Sequence, residues 1–191
     1  MKKKLVFIGF ILIASMIISS EADAGSPGSG TKPAEIFMDL RSRIFNMSPG
    51  SAGITVESET EPWGIVMDIG LKKSAVTLVS LKDGTASLYF SNGGVIIAGV
   101  ENKSIHDFAR DFVISSEDLV PLMQRSLNYP LPEEGVVNIY ILAGSGIFSS
   151  GMIKEEDLNN GMDKFSKLFY SGQELISALR QLDSRKITGP H

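Results

Sequence analysis

Large apolar residues alternate with smaller or polar ones through the middle of the chain. In WGIVMDIGL, residues 63–71, every second position is large and apolar, which is typical of a β-strand. Asp83-Gly84 and Asn92-Gly93 each separate two further segments rich in strand-forming residues, and such residue pairs favour two-residue hairpin turns. The pattern therefore predicts four consecutive antiparallel strands.

Two-residue turns would also determine how the last three strands are aligned. Leu88 would lie opposite Val79 across the first turn and opposite Ile97 across the second. Both turns then place the same residues on one face, which we expect to be the core face: Thr77, Val79, Leu81, Ala86, Leu88, Phe90, Val95 and Ile97. The opposite face carries Val76, Leu78, Ser80, Ser87, Tyr89, Ile96 and Ala98. Because that face is only partly polar, we expect other elements to cover it too.

Apolar residues at helical spacing predict helices before and after these strands. The first helix follows Pro33, and its apolar stripe consists of Ile36, Phe37, Leu40 and Ile44. A second stripe covers residues 104–123, as one helix kinked near Pro121 or as two stacked pieces. Two pairs are spaced as capping boxes that would begin the second and third helices: Ser104 with Asp107, and Ser171 with Glu174.

The elements follow one another as helix, four-strand meander, helix, hairpin and helix. The hairpin is predicted from two strand-like segments that flank Gly144-Ser145-Gly146. This order predicts an α+β fold in which about three helices pack on a mainly antiparallel sheet. We expect residues 33–183 to form one domain and residues 184–191 to form a frayed tail.

Three segments between residues 62 and 182 carry a resemblance to other proteins: PWGIVMDIG, DGTASLYFSNGG and FYSGQELISAL. They resemble a group of small, uncharacterised bacterial proteins, so the resemblance implies no particular reaction. The order of the elements is similar to that of profilin-like and roadblock or longin-type folds, whose central sheet carries helices. That similarity implies a fold rather than an activity.

Residues 1–24 have the pattern of a secretory signal peptide. Three lysines precede an apolar run over residues 5–18, and Ala22 and Ala24 are small residues of the kind that signal peptidase reads. The apolar run is shorter than the roughly 20 residues that span a bilayer as a helix. We therefore expect cleavage after Ala24, a flexible spacer over residues 25–32, no membrane span after cleavage, and export to the periplasm or the cell exterior.

Composition narrows the class of partner. The chain contains no cysteine and has a formal net charge of −4, which becomes more negative once the lysine-rich leader is removed. Nucleic acid is not an expected partner, because binding to phosphates requires basic patches. Without disulfides, an exported domain needs a substantial core, which a chain of this length can supply.

Two residues are candidates for catalysis. His106 is the one histidine besides the terminal His191, and the neighbouring carboxylate of Asp107 could orient it as a general base. The alternative is that His106 lies in solvent on the polar side of a helix. Asp68 is an acid within an apolar strand, where burial would be unusual and could serve a function. A position at the edge of the sheet would instead make Asp68 a simple surface charge.

No motif in the sequence predicts a metal or a cofactor. Ser145 lies between two strands, whereas a nucleophilic serine needs a turn from strand to helix. Glu155, Glu156 and Asp157 are adjacent and lack the spacing of a calcium loop, so we expect them to begin a short helix. We accordingly expect neither a metal site nor a cofactor.

These observations favour an exported, non-enzymatic domain that binds a protein partner, or a second copy of itself, through an edge or face of its sheet. If the partly polar face is open, Tyr89, Ser87 and Ser80 would form part of that surface. One alternative is a hydrolase-type enzyme that uses His106 or Asp68. Another is a small-ligand sensor on a profilin-like sheet, for which a pocket between sheet and helix would be the signature.

Overall fold

The computed structural model describes residues 32–99 and 101–188, with side chains as far as residue 184. The predicted signal peptide, and all but the last residue of the predicted spacer, fall within residues 1–31. The end of the predicted tail falls within residues 189–191. Both segments lie outside the described residues.

Helices and strands alternate much as the sequence pattern predicts. The α-helices of the described residues are α1 (Glu35–Phe45), α2 (Lys103–Ile114), α3 (Glu155–Asn159) and α4 (Ser166–Thr188). The strands are β1 (Pro62–Leu71), β2 (Ser74–Leu81), β3 (Ala86–Phe90), β4 (Val95–Ala98), β5 (Gln124–Arg125), β6 (Val136–Ala143) and β7 (Gly146–Lys154). The hairpin around residues 144–145 and the short helix that begins at Glu155 are therefore confirmed.

The strands of the described residues form one sheet in which every neighbouring pair is antiparallel. Their order is β4-β3-β2-β1-β6-β7-β5, so the meander from β1 to β4 forms one half and the β6–β7 hairpin lies in the other. β1 is the central strand and pairs with β2 on one side and with β6 on the other. The predicted α+β fold with a mainly antiparallel sheet is confirmed.

Helices cover both faces of this sheet. α1 packs on one face, where Phe37 belongs to the same apolar cluster as Val66 and Tyr89. α2 and α4 pack on the opposite face, where the cluster includes Met67 and Leu88. Because the sheet is covered on both faces at β1, every residue from Pro62 to Gly70 is buried.

Both hairpins of the meander differ from the predicted two-residue turns. Each has a three-residue loop, residues 82–84 in the first hairpin and residues 91–93 in the second, closed by backbone hydrogen bonds of 2.9 Å. Only the glycine of each loop has a positive φ, +85° at Gly84 and +98° at Gly93. This is the pattern of a type I turn followed by a left-handed glycine.

The extra loop residue moves each alignment by one position. Leu88 lies opposite Leu78 and Ile96, not opposite Val79 and Ile97. A shift of one residue turns the side chains of a strand to the other face, so the predicted alignment and the predicted faces are wrong. The face toward α2 and α4 consists of Val76, Leu78, Ser80, Ala86, Leu88, Phe90, Ile96 and Ala98.

The predicted helices are present, but their details differ. In α1, Phe37 and Ile44 are buried as predicted, whereas Ile36 is 49% exposed and Arg41 is buried. α2 ends at Ile114, and a separate 3₁₀ helix at Glu117–Leu122 follows, which corresponds to the prediction of two pieces.

Neither predicted capping box forms. α2 begins at Lys103 without a side-chain cap, and Asp107 contacts His106 instead. α4 begins at Ser166, so Ser171 lies inside the helix. The apolar stripe of α4 extends further toward the N-terminus than the predicted capping box at Ser171 and Glu174 indicates. α4 also continues to Thr188, past the predicted start of the frayed tail.

Candidate functional site

Asp68 lies at the centre of a buried polar cluster between α1 and β1. Arg41 reaches it from α1, with its Nη2 2.6 Å from Asp68 Oδ2 and its Nε 3.2 and 3.1 Å from the two carboxylate oxygens. Thr77 lies opposite Asp68 on β2 and donates a hydroxyl hydrogen bond of 2.6 Å to Oδ1. Burial raises the pKa of Asp68, and the bonds from Arg41 and Thr77 offset part of that rise.

Aromatic rings enclose this cluster. The Arg41 guanidinium lies over the ring of Phe45, 4.8 Å from its centroid, and Phe45 stacks on Tyr129. Tyr140 meets Phe45 edge-on, and burial raises the pKa of Tyr140 to about 12. Because Asp68 has no exposed surface, a substrate could reach it only if α1 left the sheet. The cluster therefore acts as a connection between α1 and the sheet.

His106 lies on the opposite side of the sheet, near the start of α2. Its side chain is 25% exposed, and its Nδ1 lies 3.0 Å from Asp107 Oδ1. Its ring packs against Gly84 in the first hairpin loop, so closely that a Cβ at residue 84 would overlap it. His106 is thus half-buried rather than in solvent. The structure does not bring His106 and Asp68 together.

The three residues considered for a partner surface are buried and do not share a face. Tyr89 and Ser87 lie on the α1 side of the sheet and are 5% and 6% exposed. Ser80 lies on the other side, where its hydroxyl donates a hydrogen bond of 2.9 Å to the Ala109 carbonyl of α2. The shift in alignment separates them, and the open face on which that surface depended is covered.

A cleft of about 810 Å³ lies between α4 and one end of the sheet. Strand side chains that face α4 form its apolar floor: Ile69, Leu71, Val76, Leu88 and Phe90. Gln173, Ile176 and Arg180 line it from α4, and their spacing places them along one side of the helix. The volume lies within the range of small-molecule sites, roughly 300–1,000 Å³.

Two loops complete the cleft. The turn between β1 and β2, residues 72–73, borders its mouth together with Ser74, the first residue of β2. At one end, the segment before β6 packs so closely on Gly70 that a Cβ there would overlap the Glu133 carbonyl. Gly135 N–H donates a hydrogen bond of 3.0 Å to the Gly70 carbonyl, and Glu155 N–H donates one of 2.9 Å to the Gly135 carbonyl. These bonds place the start of α3 at this end of the cleft.

Besides Ser74 at the mouth, three polar side chains that line the cleft are half-buried and unpartnered: Glu155, Gln173 and Arg180. None of them makes a side-chain hydrogen bond or ion pair within residues 32–99 and 101–188. Burial alone raises the pKa of Glu155, without a neighbouring donor or cation that offsets it. The cleft therefore combines an apolar floor with polar groups that are free to bind another molecule.

The sequence pattern singled out none of these three residues as a functional group. The cleft exists because α4 crosses the end of the sheet near the turn between β1 and β2, and this arrangement depends on contacts between distant segments. The only local pattern that could have indicated these residues is on α4, where the polar Gln173 and Arg180 lie on the same side of the helix as the apolar Ile176.

Comparisons of the chain with protein-family models, with curated proteins and with solved structures found no match. In the part of the chain that the structure describes, no helix is long and apolar enough to cross a bilayer. Within the same residues, no group of three or more histidine, cysteine or acidic side chains could hold a metal ion. Function must therefore be argued from the cleft itself.

Proposed function

We propose that this chain is an exported, non-enzymatic binding domain whose cleft beside α4 takes a small amphipathic molecule. The observation that supports the proposal is the apolar floor together with the three unpartnered polar side chains of the cleft. Polar groups that folding shields from water normally have hydrogen-bond partners, and these three side chains are partly shielded. A bound molecule would supply such partners, while its apolar part would pack on Leu71, Phe90 and the rest of the floor.

A binding role has more support than a catalytic one. The Asp68 carboxylate is enclosed and already paired with Arg41, so it is not available to a substrate. His106 lines neither the cleft nor a smaller pocket of about 310 Å³ that adjoins it near Phe90 and Arg180. The small-ligand alternative named from the sequence required a pocket between sheet and helix, and the cleft has that position.

Binding of anilinonaphthalene sulfonate, an apolar fluorescent dye with one anionic group, tests this proposal. We expect the exported chain to bind the dye, and Gln173→Trp to bind it at least about tenfold more weakly, because an indole at residue 173 occupies part of the cleft that the dye would need. Glu174→Trp is the matched control, since Glu174 is the next residue of α4 and is exposed. Equal dye binding by the two tryptophan variants would overturn the proposal.

Self-association along β4 is a second candidate function. β4 is an outer strand of the sheet, and an unpaired edge strand is a template for pairing with another chain. Val95 and Ile97 on this strand are 38% and 55% exposed, and the exposed Ile36 lies close to the adjoining loop at Gly93. Light scattering should then show a dimer that Ile97→Lys converts to a monomer. A monomeric wild-type chain at high concentration would exclude this function.

A further inference from the structure

We infer that the cleft recognises a short zwitterionic ligand with an apolar body, such as a peptide of about three residues, holding its ammonium group at Glu155 and its carboxylate at Arg180. This inference rests on the proposed binding function and adds the chemical class of the ligand. It follows from where the two unpaired charges lie, from the distance between them and from the chemistry of the surface that connects them.

Glu155 and Arg180 lie at opposite ends of the cleft. Glu155 begins α3, and its backbone is bonded to Gly135 immediately before β6. Arg180 lies at the other end beside Phe90 of β3, since both residues line the cleft and also a smaller adjoining pocket of about 310 Å³. β1 and β2 lie between β6 and β3 in the sheet, so the two ends are separated by roughly 14 Å at about 4.8 Å per strand.

The length of the cleft suits a short extended chain. Along α4, the lining residues run from Gln173 to Arg180, a rise of roughly 10 Å along the helix axis. An extended tripeptide spans about 10 Å. A single amino acid is too short to reach both charges at once, whereas a longer peptide would have to leave the cleft.

The charges inside the cleft favour a ligand with one charge of each sign. Glu155 and Arg180 form no ion pair with each other or with other described residues. The other charged side chains that line it, Lys72, Lys73 and Glu134, are exposed, so water screens their charges. A fatty acid would satisfy Arg180 and leave Glu155 unpaired, and an apolar amine would do the reverse. A zwitterion satisfies both groups.

The surface between the two charges matches a peptide. The Gln173 amide carries both a donor and an acceptor, so it can bond to a peptide N–H or carbonyl group. The floor beneath it offers only aliphatic and aromatic surface, on which apolar side chains can pack. Apolar residues in the ligand are therefore expected.

Calorimetric titration with trileucine tests this inference. We expect trileucine with free ends to bind, and we expect N-acetyl-trileucine and trileucine amide each to bind at least about tenfold more weakly, because each lacks one charge. An N-acetylated or amidated form that binds as tightly as trileucine would overturn the inference. If the dye binds but trileucine does not, the inference fails while the proposed function stands. If neither binds, both fail.

Two variants assign each charge to its residue. Glu155→Gln should weaken trileucine binding at least about tenfold and leave the binding of N-acetyl-trileucine unchanged. Arg180→Gln should also weaken trileucine binding at least about tenfold, and it should leave the binding of trileucine amide unchanged. Glu156→Gln and Arg110→Gln change exposed residues outside the cleft and serve as the matched controls. Equal losses for the free and the capped peptides in these variants would show a merely structural effect and would overturn the assignment.

Discussion

The guanidinium of Arg41 and the carboxylate of Asp68 form a buried ion pair that joins α1 to the central strand of the sheet. Their closest atoms are 2.6 Å apart, and the side chains are 5% and 0% exposed. Two residues further along α1, Arg43 forms an exposed ion pair of 2.9 Å with Asp39. α1 therefore contributes one arginine to a buried pair and another to an exposed pair, and the two pairs can be compared directly.

Removing one partner of the buried pair should be costly. We expect Arg41→Met to lower the free energy of unfolding by about 3–5 kcal/mol, because it leaves the Asp68 carboxylate buried without a counter-charge. Arg43→Met should cost less than about 1 kcal/mol, since the Arg43–Asp39 pair is exposed to water. Adding Asp68→Leu to Arg41→Met should restore part of the loss. Equal losses for the two arginine variants in urea unfolding would show that burial does not make the Arg41–Asp68 pair more important than the exposed one.

The contact between Gly84 and His106 should appear as an energetic coupling. Gly84→Ala should destabilise the fold by about 1 kcal/mol or more, because residue 84 has a positive φ and a methyl group would overlap the imidazole ring. In a His106→Ala background that overlap is absent, so the same change should cost less. We expect a coupling of about 0.5–3 kcal/mol in the double-mutant cycle. Additive costs would show that the ring does not pack on the loop.

Glu155 should lower stability at neutral pH. Its pKa is raised in the folded state by burial, so the charged form is disfavoured relative to the unfolded chain. We expect Glu155→Gln to raise the melting temperature above the raised pKa, and this gain should vanish as the pH falls below the ordinary pKa of glutamate. Glu156→Gln, at an exposed position, is the control. A gain that persists at low pH would mean that the carboxylate charge is not its cause.

Gly70 should be required for the close packing of the segment before β6, which forms one end of the cleft. Gly70→Ala should destabilise the fold by about 1–3 kcal/mol and weaken dye binding, because a methyl group there overlaps the backbone carbonyl of Glu133 and must displace that loop. Gly50→Ala is the matched control, since a Cβ at Gly50 meets no atom within 4 Å. Chemical unfolding and dye titration of the two variants provide the comparison.

The order and type of the elements could be predicted from the sequence because they depend on local patterns. Alternation over residues 63–71 and the turn residues around Gly84 and Gly93 indicate strands and hairpins whatever their exact alignment. Loop length was predicted wrongly because Asp-Gly and Asn-Gly are compatible with both a two-residue and a three-residue loop. One residue of difference was enough to exchange the faces of β2 and β4 relative to β3.

Two features could not be predicted from local patterns: the buried position of Arg41 and the existence of the cleft. Arg41 lies on the buried side of α1 only because Asp68 faces it from β1, and these residues are far apart in sequence. Asp68 was a candidate because an acid in an apolar strand is unusual, but its partner was not visible from local pattern. The cleft depends in addition on the position of α4 over the ends of three strands, which no local signal specifies.

Methyl NMR during titration with the dye locates the bound molecule and so shows whether it occupies the cleft. If the cleft is the binding site, the methyl resonances of Ile69, Val76 and Ile176 should shift, while those of Ile54 in the cluster beneath α1 should not. These shifts should be absent in Gln173→Trp and retained in Glu174→Trp. Saturable binding with shifts confined to residues outside the cleft, or no shifts at all, would show that the cleft is not the binding site.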